Sequence, residues 1–219
     1  MIKGAIFDFD GTLFDSMYVW DTIGSDYLRS IGYVPRNDLN KIIQNMSLYQ
    51  SACYYRNEYG VTLPVDEIMN GVDRMIEHFY RDEVLPKKDA GTFLKMLKDS
   101  GTVMCIATAT DRYLVEAALV RCGLDGYFTE IITCSEAGSG KDEPAVFRKA
   151  MRFLGTKKKD TYIFEDALYA AETAKKDGFP LVGVFDRSEE NQAALRELAD
   201  FYLTGFSDAG NFLKSVSGF

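Results

Sequence analysis

The sequence predicts an α/β protein in which helices cover both faces of a parallel β-sheet. Three observations predict this fold class. The N-terminal apolar run ends in acidic residues and a glycine, apolar runs alternate with amphipathic segments after residue 86, and glycines follow those segments. Strands that alternate with helices along a chain form parallel sheets, whose connecting helices cover both faces.

The first predicted strand, residues 2–9, is followed by a segment of different character. From about residue 16 to residue 81 the chain is polar and rich in tyrosine. Apolar residues there recur at steps of three and four, as they do on one face of a helix. They are Met69, Val72, Met75, Ile76 and Phe79. We therefore expect a helical insert at about residues 15–84.

Strands and helices alternate in the rest of the chain. Short apolar runs predict strands at residues 103–107, 130–133, 161–164 and 181–184. Amphipathic segments predict helices at residues 89–100, 113–122, 144–154 and 168–177. A glycine follows each of these helices, which is a common way for a helix to end. We therefore expect one sheet with helices on both faces, interrupted early by the helical insert.

The composition restricts the partners of the protein. The chain of 219 residues carries a net charge of −8. Nucleic acids and anionic membranes attract clustered Lys and Arg, so we expect neither as a partner. No apolar run reaches the about 18 residues of a membrane span, and no signal-peptide cleavage site follows the first strand. The four cysteines form no C-x-x-C pair, which favours a reduced, cytoplasmic protein, and we expect a monomer or a weak homodimer.

Two carboxylates follow the first strand, in the run Asp8-Phe9-Asp10-Gly11-Thr12. Because side chains alternate along a strand, Asp8 and Asp10 project to the same side and Phe9 to the other. Two ionised carboxylates at this range repel one another, and a cation or a shared proton must relieve the repulsion. The carboxyl ends of parallel strands are also where open α/β sheets bind ligands.

Further polar residues follow later predicted strands. The hydroxyl of Thr108 can bind an anion or cap the next helix. Lys141 precedes a helix, where it is either a loop charge or the partner of a phosphoryl group, although its surroundings lack P-loop spacing. Glu165 and Asp166 follow another strand, and their hard oxygens favour Mg²⁺ over zinc. Each residue alone is weak evidence, and their joint placement at strand ends indicates a site.

The residues directly after Thr108 have a simpler interpretation. Thr110 and Asp111 have the pattern of a helix N-cap, and we expect them to have that structural role. Arg112 follows them, and we expect it to be a surface residue at the helix start rather than a substrate contact.

In this order, four motifs resemble those of the haloacid dehalogenase superfamily. They are Asp8-Phe9-Asp10-Gly11-Thr12, Thr108, Gly140-Lys141 and Glu165-Asp166. The insert, which opens with Asp15-Ser16, resembles the α-helical cap of the subgroup that contains β-phosphoglucomutase and phosphoglycolate phosphatase. The resemblance implies a Rossmann-like core of residues 1–14 and 85–219 and an inserted α-helical cap domain of residues 15–84.

The resemblance also implies an activity, that of a Mg²⁺-dependent phosphatase acting on a small phosphorylated metabolite. Asp8 would attack phosphorus and form an aspartyl-phosphate, while Asp10 would protonate the leaving oxygen and later take a proton from water. The residues implied to bind the phosphoryl oxygens are Phe9, Thr108, Ala109 and Lys141. Those implied to bind the metal are Asp8, Asp10 through its carbonyl, Asp166 and, as an auxiliary group, Glu165.

Several positions depart from the family pattern. After Lys141 the chain reads Asp142-Glu143-Pro144-Ala145, without the first proline and the final aspartate that family members often have. Ala167 and Ala170 stand where a serine and a glycine commonly follow the acidic pair. We expect these changes to alter loop rigidity rather than to remove activity.

The insert favours hydrolysis over phosphoryl rearrangement. β-Phosphoglucomutase grips its second phosphate with a Gly-x-Ser-Arg segment, and here Asn45 and Leu48 replace the glycine and the arginine. A sugar phosphomutase is therefore the second hypothesis. Asp10 argues against a dehalogenase, because a halide leaving group needs no proton. A regulatory or binding module without turnover is the third hypothesis.

Overall fold

The computed structural model describes residues 2–43, 46 and 48–217. The chain forms two compact units. One, the core unit, comprises Met1–Asp15 and Val84–Phe219, and the other, the helical unit, comprises Ser16–Glu83. The assignment of residues 15–84 to a separate cap domain stays a prediction, and Asn45 lies outside the described residues.

The described part of the helical unit consists of helices and their connections. The helices are α1 (Met17–Ser30), α2 (Leu39–Ile43), α3 (Leu48–Tyr59) and α4 (Val65–His78), and a π-helical turn follows at Phe79–Glu83. The predicted apolar stripe is confirmed in part, since Val72, Ile76 and Phe79 are buried and Met69 and Met75 are half-buried. Phe79 lies in the turn just after α4. This stripe supplies the apolar surface that holds α4 within its unit.

A close approach of two helices depends on a glycine in this unit. Gly71 on α4 lies against the ring of Tyr27 on α1, where an added Cβ would come within 2.5 Å of a ring carbon. Tyr27 and Tyr55 are both buried, and their ring centroids lie 6.3 Å apart. These two tyrosines therefore pack the helical unit itself.

The core unit is built around a six-stranded sheet. The strands are β1 (Gly4–Phe7), β2 (Val103–Thr108), β3 (Ile131–Thr133), β4 (Thr161–Glu165), β5 (Leu181–Val184) and β6 (Phe201–Leu203). All neighbouring pairs are parallel, which confirms the predicted Rossmann-like α/β core. The sequence-based prediction does not include β6, which is a half-buried edge strand of three residues.

The order of the strands creates a crevice. Across the sheet the strands lie in the order β3-β2-β1-β4-β5-β6. The chain moves outward from β1 through β2 and β3, and then returns to start a second outward path at β4. The direction of the connections reverses between β1 and β4, and open α/β sheets bind ligands at such a reversal, beyond the carboxyl ends of the strands.

Helices cover both faces of this sheet. They are α5 (Ala90–Asp99), α6 (Arg112–Arg121), α7 (Cys134–Ala137), α8 (Ala145–Leu154), α9 (Leu168–Lys176), α10 (Gln192–Leu198) and α11 (Ala209–Ser217). On one face, Ile6 of β1 belongs to a buried apolar cluster with residues of α8, α9 and α10. On the other face, Phe7 meets Phe93 of α5 and Phe164 of β4. The centre of the sheet is therefore covered by apolar side chains on both faces. The polar groups lie at the carboxyl ends of the strands.

Across the described part of the chain, no helix has both the length and the apolar character needed to cross a bilayer. Cys53, Cys105, Cys122 and Cys134 are all free cysteines. Cys105 is buried in β2, where burial raises the pKa of its thiol, so it packs as a small apolar side chain.

Candidate active site

The predicted site residues meet at the reversal point of the sheet. Asp8 directly follows β1, and its N–H donates to the carbonyl of Phe164 in β4 at 2.9 Å. Thr108 is the last residue of β2 and Glu165 the last of β4, the two strands that flank β1. The parallel register therefore brings three strand ends together beside Asp8.

A buried lysine lies between two buried carboxylates. Lys141 Nζ contacts Asp8 Oδ1, and it donates to Glu165 Oε2 at 2.8 Å. All three residues are less than a tenth exposed. Burial by itself lowers the pKa of Lys141, but the carboxylates of Asp8 and Glu165 raise it above the ordinary value of a lysine. The ammonium group is therefore charged, and a buried charge of this kind needs such partners.

The site around Lys141 contains more acidic side chains than basic ones. Burial raises the pKa of Asp8 well above its ordinary value, Lys141 opposes that effect, and the neighbouring acids add to it. Burial and the charge of Glu165 raise the pKa of Asp166 to about 7, against the hydrogen bond from Thr12. Carboxylates resist ionisation in this way when the positive charge around them is insufficient.

The acidic residues present fit a divalent cation. One carboxylate oxygen from each of Asp8, Glu165 and Asp166 can be chosen such that the three lie within 4.8 Å of one another, and all three residues are buried. Lys141 alone does not balance three carboxylates, so a second cation would relieve the excess charge. Oxygen ligands without sulfur or imidazole are those that Mg²⁺ prefers.

Asp10 is hydrogen-bonded to Thr110, a residue that was expected to cap a helix. The turn Phe9–Phe14 closes through the N–H groups of Leu13 and Phe14, which both donate to the carbonyl of Phe9. Asp10 Oδ2 accepts a hydrogen bond of 2.6 Å from the hydroxyl of Thr110. The prediction that Thr110 caps a helix is therefore wrong, because its hydroxyl faces the first motif instead. Asp111 does stand at the N-cap position of α6, but its side chain accepts no capping hydrogen bond.

Thr108 and Thr12 complete the polar arrangement. Thr108 Oγ1 accepts from the N–H of Thr110 at 3.0 Å, which leaves its hydroxyl hydrogen available to an anion. Ala109 lies between these two threonines in the same turn. The fully buried hydroxyl of Thr12 donates to Asp166 Oδ1 at 2.6 Å. The contact between Thr12 and Asp166 joins the first and last motifs, and nothing in the local sequence assigned it.

Arg112 is engaged away from these residues. Its guanidinium donates to Glu130 at 2.7 Å and to Glu136 at 2.8 Å. These ion pairs raise the pKa of Arg112 further. Arg112 is the first residue of α6 and is half-exposed, as expected for a surface arginine at the helix start, and its separation from the substrate stays a prediction.

Comparison with known proteins identifies the family of this chain. The family model of the haloacid dehalogenase-like hydrolases matches residues 5–184. A putative phosphatase, YhcW, of Bacillus subtilis (strain 168) is 24% identical over 83% of this chain and 83% of its own length. The phosphoglycolate phosphatase of Rhodobacter capsulatus is 25% identical over 83% of this chain and 84% of its own.

Solved structures share the fold. A putative β-phosphoglucomutase from Thermotoga maritima superimposes with a TM-score of 0.86 at 20% identity, over 98% of this chain and 100% of the other. CbbY from Rhodobacter sphaeroides, in complex with phosphate, gives a TM-score of 0.75 at 20% identity, over 96% and 97%. At this identity the two structures show the fold alone. The family model, which covers most of the chain from β1 to β5, carries the assignment: this protein belongs to the haloacid dehalogenase-like hydrolases.

Proposed function

We propose that this hydrolase is a Mg²⁺-dependent phosphatase that acts on a small phosphorylated metabolite through an aspartyl-phosphate on Asp8. The observation that carries the proposal is the buried contact of Lys141 with Asp8 and Glu165, directly beside Asp166. A lysine and a metal-binding carboxylate set around one aspartate supply a nucleophile with the positive charge that a phosphoryl group needs.

In the first half-reaction Asp8 is the nucleophile. One of its carboxylate oxygens forms a bond to phosphorus while the bond from phosphorus to the leaving oxygen breaks. Lys141, already in contact with Asp8, meets the charge of the phosphoryl oxygens. The hydroxyl of Thr108 and the backbone N–H groups near Phe9 and Ala109 are the remaining donors in the proposal.

Asp10 is the proposed acid and base. It gives a proton to the leaving oxygen, and in the second half-reaction it takes one from the water that attacks the phosphoaspartate. The hydrogen bond from Thr110 to Asp10 Oδ2 fixes the orientation of the carboxyl group. The carboxyl group held in this way carries the proton that is exchanged.

The proposed metal ligands are the Asp8 carboxylate, the Asp10 carbonyl and the Asp166 carboxylate. Both oxygens of Glu165 have partners, Oε2 with Lys141 and Oε1 with the N–H of Ala167 at 3.2 Å. That pattern supports an auxiliary position for Glu165, as the group that holds the lysine. A bound Mg²⁺ supplies positive charge that stabilises the transferring phosphoryl group.

The similar proteins bear on the substrate and on the second hypothesis. Relatives are named as a phosphoglycolate phosphatase and as pyrophosphatases, which supports a small phosphorylated substrate. A structural neighbour is titled a putative β-phosphoglucomutase, so the mutase stays as the alternative. Leu48, the first residue of α3, still offers no charge for a second phosphate. We extend the proposal to a cytoplasmic monomer or weak homodimer without a nucleic-acid or membrane partner.

Phosphate release from a panel of phosphorylated metabolites tests the proposal. We expect the wild type to release inorganic phosphate with Mg²⁺ and not with EDTA. The Asp8→Asn variant should lose activity by on the order of a thousandfold or more, because it lacks the nucleophile. Asp125→Asn, an exposed acid in the core unit, is the matched control and should retain full activity. Equal release by the wild type and Asp8→Asn would refute the mechanism, and isomerised sugar phosphates without free phosphate would favour the mutase.

A further inference from the structure

The helix that follows Asp166 begins without a cap of its own. Helix α9 starts at Leu168, and its N-cap residue, Ala167, has no side-chain acceptor. The first N–H groups of a helix have no partner inside the helix and need one from elsewhere. Asp166 lies two residues before this helix start, so the backbone conformation at the helix start affects the position of Asp166.

A distant carboxylate supplies the missing partner. Glu189 Oε2 accepts from the N–H of Leu168 at 2.8 Å, across 21 residues of sequence. Its other oxygen, Oε1, accepts from the N–H of Asn191 at 2.7 Å. A carboxylate at this end of a helix also interacts favourably with the helix dipole. Together with Glu165, which accepts from Ala167, Glu189 holds the two N–H groups that follow Asp166.

The loop that carries Glu189 is itself anchored. It connects β5 to α10, and its buried Asp186 accepts from the N–H and the hydroxyl of Ser188 at 2.9 and 2.6 Å. Lys87 Nζ contacts Asp186 Oδ2 at 2.9 Å and donates to the carbonyl of Phe185. The N–H of Glu189 donates to the carbonyl of Asp186. Glu189 therefore lies in a loop that hydrogen bonds and an ion pair hold in place.

We propose that Glu189 is a positioning residue that sets the metal affinity of this site by holding the backbone next to Asp166. It is not one of the proposed metal ligands, and it acts through the N–H of Leu168. The inference rests on the proposed function, since it takes Asp166 as a metal ligand. Groups that orient metal ligands in this way alter metal affinity by about 10- to 100-fold when they are removed.

Titration of the whole protein with Mn²⁺, followed by the electron paramagnetic resonance of free Mn²⁺, tests the proposal without turnover. We expect Glu189→Ala to bind Mn²⁺ about tenfold more weakly than the wild type. Glu189→Gln keeps an acceptor and should stay within about threefold of the wild type. Glu190→Ala, which removes the exposed acid next in sequence, is the matched control and should bind Mn²⁺ normally.

Hydrogen exchange separates positioning from general stability. In Glu189→Ala we expect faster exchange in a peptide that covers the start of α9, with unchanged exchange in β1 and β2. If that variant does not fold, Glu189→Asp, whose side chain is one methylene group shorter, should show the same tenfold weaker binding. A folded Glu189→Ala or Glu189→Asp protein that binds Mn²⁺ as the wild type does would overturn the proposal and leave the phosphatase activity untouched. A wild type that binds no Mn²⁺ would overturn both.

Discussion

The substitution Asp166→Asn should stabilise this protein in the absence of metal. An asparagine has the shape of the aspartate, and its carbonyl oxygen still accepts the hydroxyl of Thr12, which lies 2.6 Å from Asp166 Oδ1. It removes only the capacity to ionise. Burial and the charge of Glu165 raise the pKa of Asp166 from 3.8 to about 7. Ionisation of Asp166 therefore destabilises the folded state.

The magnitude follows from the pKa. The folded-state pKa of Asp166 exceeds that of a free aspartate, so folding takes up a proton between about pH 4 and pH 7. Stability is therefore lost as the pH rises through that window. At about 1.4 kcal/mol for each tenfold change in proton affinity, the full loss above pH 7 is about 4 kcal/mol. At pH 5 the loss is below about 2 kcal/mol, since the folded protein still keeps the proton.

Urea unfolding in EDTA at pH 5 and pH 8 measures this effect. We expect the free energy of unfolding of Asp166→Asn to exceed that of the wild type by up to about 4 kcal/mol at pH 8, and by less than half of that at pH 5. With Mg²⁺ the wild type should regain stability and the variant should not. Asp125→Asn should change the free energy of unfolding by less than about 0.5 kcal/mol. An Asp166→Asn protein that is no more stable than the wild type at pH 8 in EDTA would refute the reasoning.

Two further predictions concern residues outside the four motifs. Thr110→Val removes the hydroxyl that holds Asp10 Oδ2; steady-state kinetics should show kcat lowered by about tenfold with little change in KM, and an unchanged kcat would remove Thr110 from the mechanism. Gly71→Ala places a Cβ within 2.5 Å of the ring of Tyr27; thermal unfolding should show a loss of about 1–3 kcal/mol, whereas Gly126→Ala, with nothing within 4 Å of the added Cβ, should lose less.

The parts of this fold that the sequence predicted are those with strong local signals. Two predicted strands are apolar runs that end at charged residues, one at Asp8 and the other at Glu165. These charged residues are also the predicted site residues. β6 lacks such a signal, because its three residues, Phe201–Leu203, form too short an apolar run to predict a strand. A single sequence therefore indicates the central strands better than the edge.

The site residues that sequence reasoning missed have their partners far along the chain. Thr110 has the local pattern of a helix start, and only the neighbouring positions of β1 and β2 bring its hydroxyl to Asp10, 100 residues away. Glu189 lies in a loop after β5, and only the pairing of β5 with β4 brings it to Leu168. Contacts of this kind follow from the strand order, which no local pattern specifies.

The surplus of acid at this site connects its stability to its proposed chemistry. A whole domain is stable by about 5–15 kcal/mol, so the roughly 4 kcal/mol lost on ionising Asp166 is a large fraction. Replacing Asp166 with a neutral residue would remove that loss, but it would also remove the charge that attracts a divalent cation. Ionised Asp166 therefore destabilises the metal-free protein, and in the proposed function the same negative charge attracts the metal. Each change that raises metal-free stability at this cluster should therefore lower the affinity for Mn²⁺.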